Sequence, residues 1–259
     1  MEAMITWPAP AGEQASPHYT VEANGKPLFV YQARVRSAIL QNDGLWTHKP
    51  GCAAELASFA MFDMTGRISV TIRPARTFQT AAVLPARARI TPDVSNGLVR
   101  FSLDQPRHLT LLLDNDDSRP LHLFIGEPET DAPREGDANV VYFGPGVHEI
   151  ETLELKNGQT VYLAGGAIVK AKLRPGEKGT YSDKWKVTFF GGTVLNVSKV
   201  SSVRICGRGI LDGSLVPHPG RNLIGVHESK DVRLEGIVLR DSPNWNVIMA
   251  KSQGVRVDD

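Results

Sequence analysis

The phrase SVRICG at residues 202–207 returns 29 residues later as DVRLEG at 231–236. GVRVD at 254–258 begins the phrase again after a further 23 residues, and TVYLAG at 160–165 is an earlier, looser copy. Each copy is a short strand followed by a turn and a second strand. A period in the twenties that is built only of strands is typical of a solenoid. Because one coil cannot bury its own apolar face, we predict stacked coils that form a right-handed parallel β-helix.

Two other repeat architectures fit less well. A leucine-rich repeat requires a Leu/Asn consensus that the copies lack. A propeller blade requires about 40 residues and antiparallel hairpins. The parallel β-helix therefore stays the prediction for the second half of the chain.

The first half of the chain has the pattern of an antiparallel sandwich. The alternating run YTVE at 19–22 is followed by Asn24-Gly25 and by LFVY at 28–31, which is a strong hairpin signal. Similar short runs recur up to residue 125 and predict an all-β sandwich-like domain. The polar stretch 127–139, with two prolines, indicates the connection. We therefore expect a sandwich-like domain over 1–135 and a β-helix over 136–259.

Composition and charge exclude several classes of protein. The 259 residues are 41% hydrophobic and 22% charged, with a formal net charge of +1. No block of like charges indicates nucleic acid or an anionic membrane as a partner, although a polyanionic glycan stays open. No apolar run approaches the roughly 18 residues of a membrane span, and no signal peptide is visible. Taken literally the sequence is cytoplasmic, but the compartment and the oligomeric state stay unknown.

Three phrases in the second half carry a family resemblance. They are ICGRGILDG at 205–213, GIVLRDSPNWN at 236–246, and the upstream pair GVH at 146–148 and LKNGQTVYL at 155–163. Together they resemble glycoside hydrolase family 28, the polygalacturonases and their bacterial relatives, over roughly residues 140–259. A sandwich before a β-helix also resembles dextranase-type enzymes of a neighbouring family. The resemblance implies hydrolysis of a pectic or related polysaccharide.

The glycines and the aspartate of the first phrase are interpreted as structural. Gly207, Gly209 and Gly213 are expected to allow sharp bends with positive φ between the sheets of a coil. Asp212 precedes a glycine, so its side chain is expected to cap a turn rather than to act as a catalyst. A dinucleotide fingerprint is excluded because Asp212 occupies the position of the third glycine and no helical pattern follows.

The second phrase contains the two candidate substrate-binding residues, Asn244 and Trp245. Pro243 lacks a backbone donor, so the phrase belongs at a corner of a coil. Trp245 would either fill the interior or stand at the mouth of the groove and stack on a sugar ring. Burial is the more common fate of a large aromatic side chain. In the family this phrase lies one coil before the catalytic face, which implies a supporting role.

The resemblance implies an inverting mechanism whose catalytic phrases we do not find. Family members supply aspartates from an Asn-x-Asp phrase and an Asp-Asp pair, followed by Gly-His-Gly and Arg-x-Lys. One carboxylic acid protonates the leaving oxygen while the other carboxylates activate water. Asp258-Asp259 comes too early to be the family's pair. We therefore expect no catalytic residue in this sequence, a chain that is the N-terminal part of a longer enzyme, and no activity for it alone.

Metal and cofactor sites are not expected. The seven histidines show no paired ligand spacing, and Cys52 and Cys206 are interpreted as free thiols. The polar turn with Asp114, Asp116 and Asp117 lacks the glycine and the distal Glu of a calcium loop. The sequon at Asn196 matters only in a secretory host.

Three functions remain open from the sequence. The first is a family 28-like hydrolase with a polysaccharide or oligosaccharide substrate. The second is a non-catalytic β-helix that binds glycans or serves as a scaffold. The third is a polysaccharide lyase, for which the expected calcium-binding acidic cluster is not seen. Fold analogy alone does not separate the three, because solenoids host many functions.

Overall fold

The computed structural model describes residues 3–36, 55–184 and 187–258. The described chain divides into two compact units, and the division falls between Glu129 and Thr130. The domain ranges expected from the sequence stay a prediction. No helix among the described residues has the length and apolar character required to cross a membrane. Cys52 and Asp259 lie outside the described residues.

The first unit is a β-sandwich of two sheets. Its strands in chain order are β1 (Ala3–Ile5), β2 (Tyr19–Ala23), β3 (Lys26–Leu28), β4 (Tyr31–Arg36), β5 (Glu55–Thr65), β6 (Ile68–Pro74), β7 (Ala81–Leu84), β8 (Asp93–Ser95), β9 (Leu98–Leu103), β10 (His108–Leu113) and β11 (Asp116–Gly126). One sheet has the order β1-β5-β11-β10-β7, with β4 also paired to β5, and the other has the order β3-β2-β6-β9-β8. A short 3-10 turn, Ala86–Ala88, separates β7 from β8.

Alternating burial along the strands explains why the two sheets face each other. In β6 the residues alternate strictly between buried and more exposed, so one side of the strand faces the core. Ile72 of β6 and Leu111 of β10 come from different sheets and belong to the same buried cluster. Asn24 and Gly25 both have positive φ, at 46° and 71°, and join β2 to β3. The predicted hairpin and sandwich are therefore confirmed, with two corrections. The second strand of the hairpin is Lys26–Leu28 rather than 28–31. The sandwich is not wholly antiparallel, because β11 pairs with β5 in parallel.

The second unit is a parallel β-helix. Its strands in chain order are β12 (Val140–Phe143), β13 (Gly146–Ile150), β14 (Leu153–Glu154), β15 (Thr160–Leu163), β16 (Ala167–Ala171), β17 (Thr180–Ser182), β18 (Val187–Phe189), β19 (Thr193–Ser198), β20 (Ser201–Gly207), β21 (Ile210–Asp212), β22 (Asn222–His227), β23 (Lys230–Glu235), β24 (Val238–Arg240), β25 (Val247–Ala250) and β26 (Gln253–Asp258).

The chain visits three parallel sheets in turn on each coil. The first coil sheet has the order β12-β15-β20-β23-β26, the second β13-β16-β21-β24, and the third β14-β19-β22-β25. Strands β17 and β18 form an antiparallel hairpin inserted into the second coil. Apolar side chains from all three sheets, among them Ile205, Leu211 and Ile224, belong to one buried cluster. The solenoid predicted from the repeat is confirmed.

The register of the first coil sheet reproduces the sequence repeat, with one correction. Val203 pairs with Val232, which pairs with Val255, as the repeat predicts. The looser copy is shifted, because Val161 pairs with Ile205 rather than with Val203. A shift of two residues keeps every side chain on the same face, since the period of a strand is two. The apolar pattern therefore fits both the alignment predicted from the repeat and the one shifted by two residues.

The three glycines of the first phrase have different roles. Gly207 has a φ of +124°, and a Cβ there would lie 2.0 Å from the carbonyl oxygen of Leu163. Gly209 and Gly213 are not among the residues with positive φ. A Cβ at Gly209 would lie 2.7 Å from Leu163 Cβ, and one at Gly213 would lie 2.4 Å from Pro243 Cδ. The prediction of positive φ is thus confirmed for Gly207 and wrong for Gly209 and Gly213. At those two positions a side chain would meet the neighbouring coil, so the close packing of the coils requires glycine.

Candidate functional site

The outer face of the third coil sheet carries a set of polar side chains. Ile224 of β22 is buried in the core, and its neighbours along the strand alternate between the inner and outer faces. Strand pairing stacks equivalent outer positions into two columns. The first column contains Glu154, Asn196, Gly225 and Ile248, and the second contains Ser198, His227 and Ala250.

Glu154 and Asn196 form a hydrogen-bonded pair at the start of the first column. The Asn196 side-chain nitrogen donates to the Glu154 carboxylate at 2.7 Å. The bond fixes the orientation of the Asn196 amide, whose oxygen then points away from the carboxylate. Sequence reasoning considered Asn196 only as a glycosylation sequon and missed this pair.

The two predicted substrate-binding residues lie at the edge of this face, beside a residue that sequence reasoning missed. The side-chain oxygen of Asn222 accepts the Asn244 amide at 3.1 Å and the backbone N–H of Trp245 at 3.3 Å. Asn244 is exposed, and Trp245 is 62% exposed. The expectation that Trp245 is buried is therefore wrong. Its side chain lies on the surface, and its backbone N–H is bonded to Asn222.

The turn that presents Trp245 is held from beneath. Pro243 is buried at the corner between β24 and β25, where the sequence predicted a corner. Its carbonyl oxygen accepts the backbone N–H of Gly220 at 2.9 Å and the His218 ring Nδ1 at 2.8 Å. A Cβ at Gly220 would lie 3.0 Å from Pro243 Cβ, so the glycine permits this close approach. The backbone at the foot of Asn244 and Trp245 is thus held by contacts with the preceding coil.

Asp212 is a structural residue, as the sequence predicted. Its Oδ1 accepts the backbone N–H of Ser214 at 2.7 Å, which caps the turn after β21. Its Oδ2 accepts Arg240 Nε at 2.6 Å from the next coil, and both side chains are buried. A carboxylate that is buried and held by a guanidinium is closed to substrate. Its packing neighbour Gly213 contacts Pro243, so the pair also supports the turn beneath Trp245.

A group of charges borders the second column at the following corner. Glu228 lies 4.0 Å from Lys199 Nζ, 3.7 Å from Lys251 Nζ and 3.6 Å from His227 Nε2. Lys199, Glu228 and Lys251 all have positive φ, because they occupy equivalent corner positions on successive coils. All these side chains are more than a third exposed, so each pair contributes little to stability. The corner beside the second column therefore carries both positive and negative side chains.

The predicted acidic residues elsewhere do not join this face. Asp258 lies on β26 of the first coil sheet, where it is paired with Glu235. Asp114 and Asp116 belong to the first unit, and both form ion pairs with Arg76. Hydrogen bonds from the backbone of Thr80 and Gln79 are the main cause of a lowered pKa of Asp114. Within the described ranges, no three His, Cys, Asp or Glu side chains are placed to hold a metal ion.

Comparison with known proteins supports the fold. No protein-family model matches the chain, and no curated protein matches it. Among solved structures, the chain is similar to Dex49A from Penicillium minioluteum, with 13% identity and a TM-score of 0.58. The similarity covers 96% of this chain and 60% of Dex49A, so this chain spans less than two thirds of that protein.

A second solved structure is more distant. It is a protein from Parabacteroides merdae ATCC 43184 that is provisionally described as a glycosyl hydrolase, with 20% identity and a TM-score of 0.31. That similarity covers 46% of this chain and 58% of the other protein, and no argument rests on it. At 13% identity the likeness to Dex49A shows the fold alone. The fold is an all-β sandwich followed by coils of a right-handed parallel β-helix, as the sequence predicted.

Proposed function

We propose that this chain provides the substrate-binding face of a β-helix glycoside hydrolase that acts on a pectic or related polysaccharide. The observation that carries the proposal is the exposed Trp245 ring beside the Asn222–Asn244 pair, at the edge of the polar face of the third coil sheet. The polygalacturonase-like phrases of the sequence support the reaction class, and the fold shared with Dex49A is consistent with it.

The chemistry of this edge suits a sugar. The apolar C–H face of a pyranose ring stacks on an aromatic side chain, while its hydroxyl groups need donors and acceptors. The contact between Asn222 and Asn244 uses one N–H of Asn244, and the Asn222 oxygen accepts both this N–H and that of the Trp245 backbone, so Asn222 keeps only its two N–H donors. An amide carries two N–H donors and a carbonyl oxygen with two lone pairs. Each residue therefore keeps hydrogen-bonding capacity for a bound hydroxyl group.

The hydrolytic step needs two carboxyl groups across the scissile bond, about 6.5–9.5 Å apart in an inverting enzyme. The two columns described above contain one carboxylate, Glu154, which Asn196 holds. Its partner would be a second carboxylate on the same face. This observation also favours a second candidate function, a β-helix that binds polysaccharide without cleaving it.

The test combines binding and cleavage on the full 259-residue chain. Titration calorimetry would compare oligogalacturonides with isomalto-oligosaccharides, the fragments of dextran, for the wild type and for Trp245→Ala. We expect oligogalacturonides to bind more tightly and Trp245→Ala to weaken that binding about tenfold, which corresponds to ~1.4 kcal/mol of lost stacking. Trp245→Phe should recover part of the affinity because it keeps an aromatic face.

The matched control is Val257→Ala, which removes an apolar side chain that is 60% exposed on the first coil sheet. It should bind like the wild type. Unchanged affinity in Trp245→Ala would contradict the proposed face, and preference for isomalto-oligosaccharides would contradict the pectic substrate. Release of reducing ends by this chain would support the hydrolase. Because the sequence predicts no catalytic residue in the chain, binding without release by the chain is expected for both candidate functions. The same assay on the product of the complete source gene separates them, since release is then expected only of the hydrolase.

A further inference from the structure

A small cleft in the first unit brings together three arginines from three separate loops. Arg67 lies in the turn between β5 and β6, Arg89 follows the 3-10 turn, and Arg107 lies between β9 and β10. With Ser102 and Asp104 they line an open cleft of about 350 Å³. The pairing of Ile68 with Leu103 brings these loops to one end of the sandwich.

The cleft is lined mainly by polar atoms, and its rim is basic. Leu103 beneath it is 2% exposed and Ile90 packs against the core of the sandwich, so neither offers a broad apolar surface to a ligand. The rim carries three guanidinium groups against one carboxylate. The contact between Arg107 and Asp104 is long, at 4.0 Å, and the Asp104 side chain is 85% exposed. That carboxylate therefore offsets the positive charge only in part.

Two of the guanidinium groups are available to a ligand. Across the described parts of the chain, Arg67 and Arg89 have no hydrogen bond or ion pair to a protein side chain. Arg89 has a φ of 53°, a left-handed conformation that arginine adopts less readily than glycine or asparagine. A guanidinium fork matches two oxygens of a carboxylate or of a tetrahedral oxyanion such as a sulfate ester, which gives a charge-assisted, bidentate contact.

We propose that this cleft binds the acid group of an acidic sugar, a uronic acid carboxylate or a sulfate ester, with Arg67 and Arg89 as the main contacts. The volume lies near the lower end of ligand pockets, which suits a single sugar residue better than a length of polymer. That the ligand is a sugar rests on the proposed function, whereas the affinity for an oxyanion rests on the cleft alone.

The experiment uses the full chain with ¹⁵N-labelled arginine and follows the Nε signals by NMR. The probes are D-galacturonate, galactose 6-sulfate, neutral galactose and inorganic sulfate. We expect galacturonate or galactose 6-sulfate to shift the Arg67 and Arg89 signals to saturation, with weaker binding at high salt. Neutral galactose should produce no saturable shift, and inorganic sulfate should bind about tenfold more weakly than the acidic sugars.

The variants are Arg67→Gln and Arg89→Asn, singly and together, because asparagine tolerates the left-handed conformation at position 89. Each single variant should lose about tenfold in affinity, the size expected for one charge-assisted contact. Arg87→Gln is the matched control, since Arg87 lies in the same 3-10 turn but does not line the cleft. Circular dichroism would confirm that each variant is folded.

Four results with the wild type and the arginine variants would overturn the proposal: no saturable shift in the wild type, equal binding of neutral galactose, equal binding of inorganic sulfate, or unchanged affinity in the folded double variant. Trp245→Ala separates this site from the proposed function. If acidic sugars still shift the Arg67 and Arg89 signals in that variant, the cleft binds them independently of Trp245. If the Arg67 and Arg89 signals no longer shift in Trp245→Ala, the binding site includes Trp245. That result would overturn the assignment of the site to the cleft.

Discussion

The ion pair between Asp212 and Arg240 is the most buried contact between opposite charges in the described β-helix. The Asp212 side chain is 1% exposed and the Arg240 side chain is 6% exposed. The two residues are also paired in register on neighbouring strands of the second coil sheet. A charge that is removed from water needs its partner, so the loss of one side chain costs more than the loss of both.

We expect Asp212→Asn to destabilise the chain by about 3 kcal/mol, because the buried Arg240 loses the carboxylate that balances its charge. Asparagine can still accept the Ser214 N–H, so the turn cap is kept. Denaturant unfolding measures the loss. The double variant Asp212→Leu with Arg240→Met should be more stable than Asp212→Asn. A double variant that is less stable would contradict this account.

The carboxylate of Glu177 links the stability of the β-helix to pH. Its Oε2 accepts the backbone N–H of Arg174 at 3.0 Å and Arg221 Nη2 at 2.5 Å. Arg221 is buried and also donates to the carbonyl oxygens of Glu151 and Lys172. The hydrogen bond from Arg174 and the contact with Arg221 lower the pKa of Glu177 below its ordinary value of 4.5.

Because this pKa is lower in the folded state than in the unfolded chain, the stabilisation is present above the ordinary value of 4.5. It is lost as the pH falls from that value through the lowered folded-state pKa. We expect the wild type to melt at a higher temperature than Glu177→Gln at about pH 7, and the difference to shrink towards about pH 3. Thermal unfolding monitored by circular dichroism checks this. A difference in melting temperature that does not change with pH would contradict it.

At the scale of an element, the corners decide where each strand of a coil ends. The carbonyl oxygen of Leu163 accepts the backbone N–H groups of both Arg208 and Gly209 at 2.9 Å. This double contact brings the backbone of Gly207 against the preceding coil. A side chain at Gly207 would meet backbone, which cannot move aside as a flexible side chain can.

Gly207→Ala should therefore destabilise the β-helix by about 3 kcal/mol or more, through both the positive φ and the overlap with Leu163. Gly158→Ala is the matched control, since Gly158 has a φ of +68° but open space around its Cβ position. That variant should cost only about 1 kcal/mol. Denaturant unfolding of the two variants measures the difference, and equal costs would show that the close approach is unimportant.

Another corner shows what two serines do just before the repeated phrases at 231–236 and 254–258. Ser229 is buried, and its hydroxyl oxygen accepts the backbone N–H of Val200 at 3.2 Å. Its own backbone N–H donates to the hydroxyl oxygen of Ser252 on the next coil at 3.1 Å. Each serine thus satisfies a backbone donor of the coil before it. A buried donor without a partner is costly, so this position favours a side chain that carries a short acceptor.

At the scale of the whole molecule, each of the two units has a hydrophobic core of its own. Leu111 belongs to the core of the sandwich and is 1% exposed. Leu195 belongs to the core of the β-helix and is 0% exposed. Residues that pack in one core tend to unfold together, so the backbone amide hydrogens of one core are expected to exchange with solvent at similar rates.

Leu111→Ala and Leu195→Ala should each cost about 2–5 kcal/mol, because each leaves a cavity. We expect native-state hydrogen exchange to accelerate first in the unit that carries the substitution. Far-UV circular dichroism would confirm that both variants are folded before exchange begins. Equal acceleration in both units by either variant would show that they open as one cooperative unit, contrary to this expectation.

The sequence by itself determined the elements and much of their stacking. Asn24-Gly25 favours positive φ by its local chemistry and adopts it here, and the repeat of Val203, Val232 and Val255 predicts which positions stack. Both signals are local or periodic, since alternation along a strand and a strand phrase that returns once per coil can be recognised in the sequence even where the coils differ in length. Asp212 as a turn cap is likewise a local property.

Only the tertiary structure decided the composition of the candidate site. Glu154 and Asn196 pair across a coil that is lengthened by the β17–β18 hairpin, so no regular spacing connects them. Asn222 contacts Asn244 through the stacking of coils, and the same stacking leaves the Trp245 ring exposed. The burial of a side chain depends on which atoms of the neighbouring coils cover it. A single stretch of sequence does not give this information. The type of each residue and the period of the repeat can be read from the sequence. The exposure of a side chain and the contacts between distant residues are decided only when the coils pack.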